Sequence, residues 1–350
     1  MARMNEEGRV MRNYDRRLAI GMVAALGIAL SSVGVAQAEP VRIRAGWANM
    51  PHHMIPVLFS KPEILKHYGK TYVVEPVQFR GSSAQIPALA AKQLDVGVSA
   101  ASAFALAVNN ANVEMKVLAD VIQDGVEGYG SDAFLVRKDS GIETVKDLRG
   151  KRIGTNGIGS FTDTVQRVMY MKAGLKPEDY TMVEASFANM PTMIAENKLD
   201  LVPTIQPFRD QMMATGNYKI LYDQGDAMGP TNGTFLAGRA EFINENKQAM
   251  YDFMEDYVRA SRWFHDPKNR DEVLTIISTF MKQPKESLSS TFTKADYYRD
   301  PYMIPNVPNI QKVIDVPNEL GLSDVKLKLE PNYVATEYVE EAKRRIEANP

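Results

Sequence analysis

The chain of 350 residues contains no cysteine. That excludes disulfides, thiolate nucleophiles and cysteine-bound metals, so any folded unit must be held by burial alone. Histidine is scarce, at four residues, and tryptophan scarcer, at two. Little material is left for a histidine-built metal centre. An excess of one charge is missing too, because 41 Lys and Arg stand against 43 Asp and Glu. This balance offers no basic face to nucleic acid or to an anionic membrane. The longest apolar run, 18–30, falls short of the about 20 residues a membrane span needs.

What is present at the start has the pattern of an export signal. Arg12, Arg16 and Arg17 precede the apolar run, and Ala36-Gln37-Ala38 supplies a small-x-small cleavage site after it. Residues 1–38 therefore read as a signal peptide, with a soluble, exported mature chain starting at Glu39. Met11 would serve as a start as well as Met1, since the signal is complete without the first ten residues. Arg16-Arg17 resembles a twin-arginine signal, although Asp15 and Ala19 depart from it. With no cysteine after the cleavage site, a lipid anchor on the mature N-terminus is excluded. Residues 39–350 are enough for two domains.

Strands and helices alternate from Val41 onward. Strands are predicted at 41–45, 72–78, 96–99 and 116–119, and helices at 55–67, 84–91 and 102–109. The rhythm continues with strands at 133–136, 152–154, 180–184 and 201–203, and helices at 144–148, 161 onward and 190–196. Such spacing implies crossover units and mainly parallel sheets. The phrase Lys92-Gln93-Leu94-Asp95-Val96 is echoed by Asn197-Lys198-Leu199-Asp200-Leu201, which suggests two similar lobes. From 243 the pattern turns helical. Met250, Phe253, Met254, Tyr257 and Val258 form a core-facing stripe. Further helices are expected at 270–280, 285–292, 309–320 and, charged and amphipathic, 333–348.

Chemistry concentrates between 131 and 163. A strand at 152–154 leads through Gly154, Gly157 and Gly159 to a helix near Phe161. These glycines fit neither the dinucleotide fingerprint nor the phosphate loop. The segment is either a plain strand-to-helix turn or an anion cradle at a helix N-terminus, with Ser160 and Thr162 as hydroxyl donors. His52-His53 has no neighbouring cluster of metal ligands, so no metal is expected and the pair is placed at a cleft mouth. Asp120, Asp124 and Glu127 read as a solvated acidic loop.

Several phrases together resemble the periplasmic solute-binding proteins of the nitrate/sulfonate/taurine class, a group labelled thiamine-precursor-synthase-like. They are Gly81-Ser82-Ser83 before an alanine-rich helix, Gln93-Leu94-Asp95-Val96-Gly97, Phe134 through Ile142 with Asp147-Leu148-Arg149-Gly150-Lys151, and Ala173-Gly174-Leu175 before Pro177-Glu178-Asp179. The resemblance implies an α/β two-lobed periplasmic binding protein of type II. Lobe I would comprise 39–130 and 231–350, and lobe II 131–230, with crossings near 128–134 and 229–236. A ligand would be held between the lobes and passed by a monomeric protein to an ABC permease, with no cofactor.

Ligands of open α/β sheets bind beyond the carboxyl ends of the strands. Lobe I then offers Asn49, His52, Arg80, Gly81, Ser82, Ser83, Ser99 and Ser102. Lobe II offers Gly159, Ser160, Phe161, Thr162, Asn189 and Gln206. Hydroxyls backed by helix N-termini suit a small organic anion, a sulfonate such as taurine or a carboxylate. Arg80 is either its charge partner or a surface ion-pair former. Nitrate, a thiamine-precursor pyrimidine and a sensory role are the alternatives. The synthase of the group relies on a cysteine-rich motif that this chain lacks.

Overall fold

A computed structural model describes residues 39–48, 50 and 53–350. The expected signal segment, Asn49 and His52 lie outside the described residues. Two five-stranded sheets are built with the same plan. In the first, β1 (Val41–Ala48) lies between β2 (Tyr72–Phe79) and β3 (Val96–Ala100), both parallel to it. β4 (Met115–Asp124) closes the edge, and an antiparallel strand, β10 (Thr231–Arg239), separates it from β3.

The second sheet repeats this order. β6 (Arg152–Thr155) lies between parallel β7 (Thr181–Glu184) and β8 (Leu201–Thr204), and antiparallel β5 (Ala133–Arg137) separates β8 from β9 (Tyr218–Asp223). Each antiparallel strand is the one the chain reaches on crossing from the other sheet. Two crossings and two lobes follow from the topology.

Helices cover both sheets. α1 (Met54–Leu58), α2 (Ile86–Ala90) and α3 (Ala101–Asn110) follow β1, β2 and β3. α4 (Phe161–Lys172), α5 (Met190–Ala195), α6 (Phe208–Ala214) and α7 (Gln224–Met228) follow β6 to β9 in the same way. After β10 come α8 (Ala240–Glu245), α9 (Lys247–His265), α10 (Arg270–Met281), α11 (Val307–Glu319) and α12 (Glu337–Ala348). The predicted stripe of α9 is buried throughout, and Tyr338, Val339, Ala342 and Ile346 of α12 are buried in the same cluster. No helix of the described residues is long and apolar enough to cross a membrane.

The repeated five-residue phrase marks equivalent places in the two sheets. α2 and α5 are each followed by a residue at positive φ, Lys92 at 56° and Asn197 at 57°. Three residues later an aspartate accepts hydrogen bonds from an arginine on the equivalent strand, β1 in the first sheet and β6 in the second. Asp95 takes the Arg44 amide, Nε and Nη2 at 2.9, 2.8 and 2.6 Å. Asp200 takes the same three atoms of Arg152 at 2.8, 3.0 and 3.0 Å. The echo is structural.

Three expectations need correction. The helix predicted over 55–67 stops at Leu58 and leaves a 3₁₀ turn at Pro62–Ile64. Farther on, the amides of Lys66, His67 and Tyr68 go to the buried Asp256 carboxylate on α9 instead of to helical carbonyls. The segment 285–292 likewise forms a 3₁₀ turn at Lys285–Leu288. Asp120 and Asp124 are not solvated either, because both are buried in β4. Asp120 is fully satisfied by the Asn232 and Gln123 side-chain amides and the Asp300 N–H. Burial nonetheless pushes its carboxyl up to about 6.

Candidate functional site

The carboxyl ends of the parallel strands in both sheets converge on one cleft. Met50, His53, Gly81, Ser82, Val98, Ala100, Ile122 and Thr234 line it from the first lobe. Asp132, Asn156, Ser160, Phe161, Thr162, Phe187 and Ile205 line it from the second, with Tyr297 from the segment between α10 and α11. The free space is about 50 Å³, enough for roughly four waters or a small polyatomic group. The walls are mostly apolar, so a few polar atoms set the chemistry.

Two helix N-termini supply the donors. Ser160 caps α4: its Oγ accepts from the Asp163 amide at 3.2 Å and donates to Asn156 Oδ1 at 2.8 Å. The amides of Phe161 and Thr162 belong to the first turn, where no carbonyl four residues back can take them. α3 starts directly after extended Ala100, without a side-chain cap. The Ser102 hydroxyl in its first turn donates to the Gly159 carbonyl at 2.7 Å, tying the start of α3 to the loop before α4. Each helix start carries about half a positive charge, so their meeting place favours an anionic acceptor.

The ionisable groups of the wall are His53, Asp132 and Tyr297, whose phenol is pushed well up by burial and by Asp132. His53 is buried, and its Nδ1 accepts the Ala48 amide at 2.8 Å, which places the ring proton on Nε2. Asp132 accepts from the Tyr297 hydroxyl, and the neighbouring Thr162 side chain helps to hold its carboxyl down. The Asp132 backbone N–H donates to Asp124 Oδ2 at 3.2 Å. Burial, against those contacts and the charge of Arg209, pushes the Asp132 carboxyl up to about 6. Burial and the neighbouring Asp132 raise Asp124 as well. Among the described residues no group of three or more His, Asp or Glu is placed to hold a metal.

Of the residues expected from sequence, Gly81, Ser82, Ser160, Phe161 and Thr162 line the cleft together. Ser102, Gly159 and Ser83 act across it, with Ser83 Oγ 3.5 Å from the Ile158 carbonyl. Ser99 is buried and turned to the Ala100 carbonyl at 3.4 Å. Gln206 is also buried, and its amide donates to Asp210 and to the Ala295 carbonyl across the lobes. Arg80 and Asn189 are exposed and do not line the cavity.

Sequence reasoning missed Asp132, Asn156, Thr234 and Tyr297. An aspartate at a strand entrance looks like any turn residue, and the tyrosine that holds it is 165 positions away. Ser102→Ala should remove one hydrogen bond made between the lobes. Ligand affinity is expected to fall about twofold to tenfold while apo thermal stability stays nearly unchanged, as calorimetry and melting curves would show.

The profile of the NMT1/THI5-like family matches residues 73–269. No curated protein sequence matches. Among solved structures, the alkanesulfonate-binding protein SsuA from Xanthomonas axonopodis pv. citri superposes with a TM-score of 0.67 at 19% identity, over 85% of this chain and 99% of that one. The periplasmic nitrate-binding protein NrtA from Synechocystis PCC 6803 gives 0.69 at 13% identity, over 89% and 90%. The desulfurization enzyme DSZB gives 0.62 at 13% identity, over 87% and 99%. These likenesses establish the two-lobed fold.

Proposed function

Since the chain belongs to the NMT1/THI5-like family, we propose that it is the solute-binding component of an ABC importer in the periplasm. It captures a small organic oxyanion, a sulfonate or a carboxylate, between its lobes and delivers it to a membrane permease. The observation that carries this reading is the pair of helix N-termini, α3 from one lobe and α4 from the other, meeting across a small cleft. An oxyanion seated there contacts both lobes at once, so binding favours their closed arrangement. The neighbours on this fold include a sulfonate-binding and a nitrate-binding protein. The export pattern of residues 1–38 fits the same role.

Binding suits the cleft better than catalysis does. The Ser160 hydroxyl at the start of α4 donates to Asn156 Oδ1, and the Tyr297 hydroxyl donates to Asp132. Asn156 Oδ1 is a neutral amide oxygen, which cannot serve Ser160 as the general base that a serine nucleophile needs. A thermal-shift screen of sulfonates, carboxylates, nitrate and thiamine-precursor pyrimidines tests the reading. A ligand at a hundredfold excess over Kd should stabilise the protein by about 2.7 kcal/mol. A shift confined to neutral sugars or simple cations would contradict it.

A further inference from the structure

We propose that the first crossing between the lobes carries a proton switch, the buried carboxyl pair of Asp124 and Asp132, which makes closure of the cleft take up a proton. The inference rests on the closing-lobe reading above and adds a control on when the lobes close. Asp124 ends β4 in the first lobe, and Asp132 stands directly before β5 in the second. They are 1% and 5% exposed. Asp124 Oδ2 accepts the Asp132 N–H at 3.2 Å, and its Oδ1 accepts the Gly125 N–H at 2.7 Å. One carboxyl thus pins the neck of the crossing while the other lines the cleft.

The groups packed around the pair supply hydrogen bonds more than charge. Tyr297 donates its hydroxyl to Asp132 and keeps its own proton. The side chains of Ser131 and Thr162 lie beside Asp124 and Asp132. Arg209 is the cation that acts on Asp132, yet its guanidinium is committed to the Ser131 and Ala295 carbonyls at 2.8 and 2.9 Å. Asp296 is matched by Arg299 at 3.1 Å. His53 shares the cavity wall. Asp120, on the same strand as Asp124, is satisfied within the first lobe by Asn232, Gln123 and the Asp300 N–H, so its surroundings are common to the open and closed forms.

Burial dominates both members of the pair. It holds Asp124 well above the ordinary carboxylate range and Asp132 at about 6. Asp124 therefore keeps its proton at neutral pH, and Asp132 is the member that titrates. Walls from both lobes cover Asp132. Parting them readmits water, and the carboxyl falls back towards its ordinary value of about 4. The closed form has the higher pKa, so closure is favoured in acid. That advantage is lost as pH rises through about 6.

Calorimetry on the mature protein with ethanesulfonate, which stays ionised throughout, tests the switch. Affinity should rise about tenfold from pH 7 to pH 5. At pH 6 the apparent enthalpy should vary with the ionisation heat of the buffer in the sense of proton uptake. Asp132→Asn, which mimics the protonated acid, should bind at pH 7 about as tightly as wild type does at pH 5, and change less than about twofold between them. A flat wild-type profile without proton exchange would overturn the switch and leave the oxyanion site standing. A pH dependence that survives in Asp132→Asn would overturn the assignment and point to His53. If that variant does not fold, the Asp132 carboxyl carbon followed by NMR in wild type decides: its titration should move upward when ethanesulfonate binds, and an unmoved titration would overturn the switch. If ethanesulfonate does not bind, small-angle scattering of the ligand-free protein decides: its radius of gyration should fall between pH 7 and pH 5, and a constant radius would overturn the switch. The oxyanion reading stands or falls separately, on the thermal-shift screen.

Discussion

Gly233→Ala is expected to cut ligand affinity about 10- to 100-fold while each lobe remains folded. Gly233 lies in β10 of the first lobe, and a Cβ there would stand 2.1 Å from Cε2 and 2.3 Å from Cδ2 of Phe161. The Phe161 ring opens α4 in the second lobe and lines the cleft. The added methyl must either push the ring into the ligand's space or hold the lobes apart. Overpacking of this kind costs about 1–3 kcal/mol. Here the cost falls on the closed form, because opening the cleft relieves it, and so it appears in affinity. Calorimetry with the best ligand from the screen measures the loss, and wild-type affinity in this variant would show that closure does not bring Phe161 onto Gly233.

Asp95→Ala should be the costliest stability change discussed here, and Asp200→Ala, its equivalent in the second lobe, a mild one. The two aspartates share the same geometry but not the same burial. Asp95 has 1% of its side chain exposed and also accepts from Arg239, itself 9% exposed, at 2.8 Å. Asp200 is 21% exposed and its partner Arg152 46%. Removing Asp95 takes one of two carboxylates from the buried Arg239 guanidinium, leaving the half-exposed Glu241 at 3.1 Å and the Leu94 carbonyl at 2.9 Å, at a cost of up to about 3–5 kcal/mol, that of a broken buried pair. Removing Asp200 should cost about 1 kcal/mol or less, as for a solvated pair.

The pH dependence follows from the same contacts. Burial alone would raise the Asp95 carboxyl, but the hydrogen bonds from Arg44 and Arg239 outweigh it and hold the group below its usual range. A depressed folded pKa gives stability that is present above the unfolded value of about 3.9 and lost as pH falls through the folded one. The gap between wild type and Asp95→Ala should therefore narrow in acid. Denaturant melts at pH 7 and pH 3 would check both the size and the sign. A cost for Asp200→Ala equal to that for Asp95→Ala would refute the role given to burial.

Much of this architecture was legible because period and turn chemistry are local. The crossover rhythm, the α9 stripe and the paired phrases around Asp95 and Asp200 needed no long-range information. Residues 204–228 were not legible. β9 is a partly exposed edge strand, with Ile220 46% exposed, so neither a clean alternation nor an apolar run announces it. The helices α6 and α7 beside it are too short to show a period.

Within the site, the hydroxyl and glycine residues around α4 could be read from their capping pattern. Asp132, Asp120 and Asp124 could not. Each is an acid whose burial depends on partners far along the chain, such as Tyr297 and Asn232. Sequence reading defaults such residues to solvent because unpaired burial is costly.

The most direct measurement of the central claim is an amide-resolved NMR titration of the mature protein with its best oxyanion ligand. The amides of Ala101, Ser102, Phe161 and Thr162, on the two facing helix starts, should shift together and saturate at one equivalent. Shifts confined to one lobe, or lying away from these helix starts, would contradict capture of the ligand between the lobes.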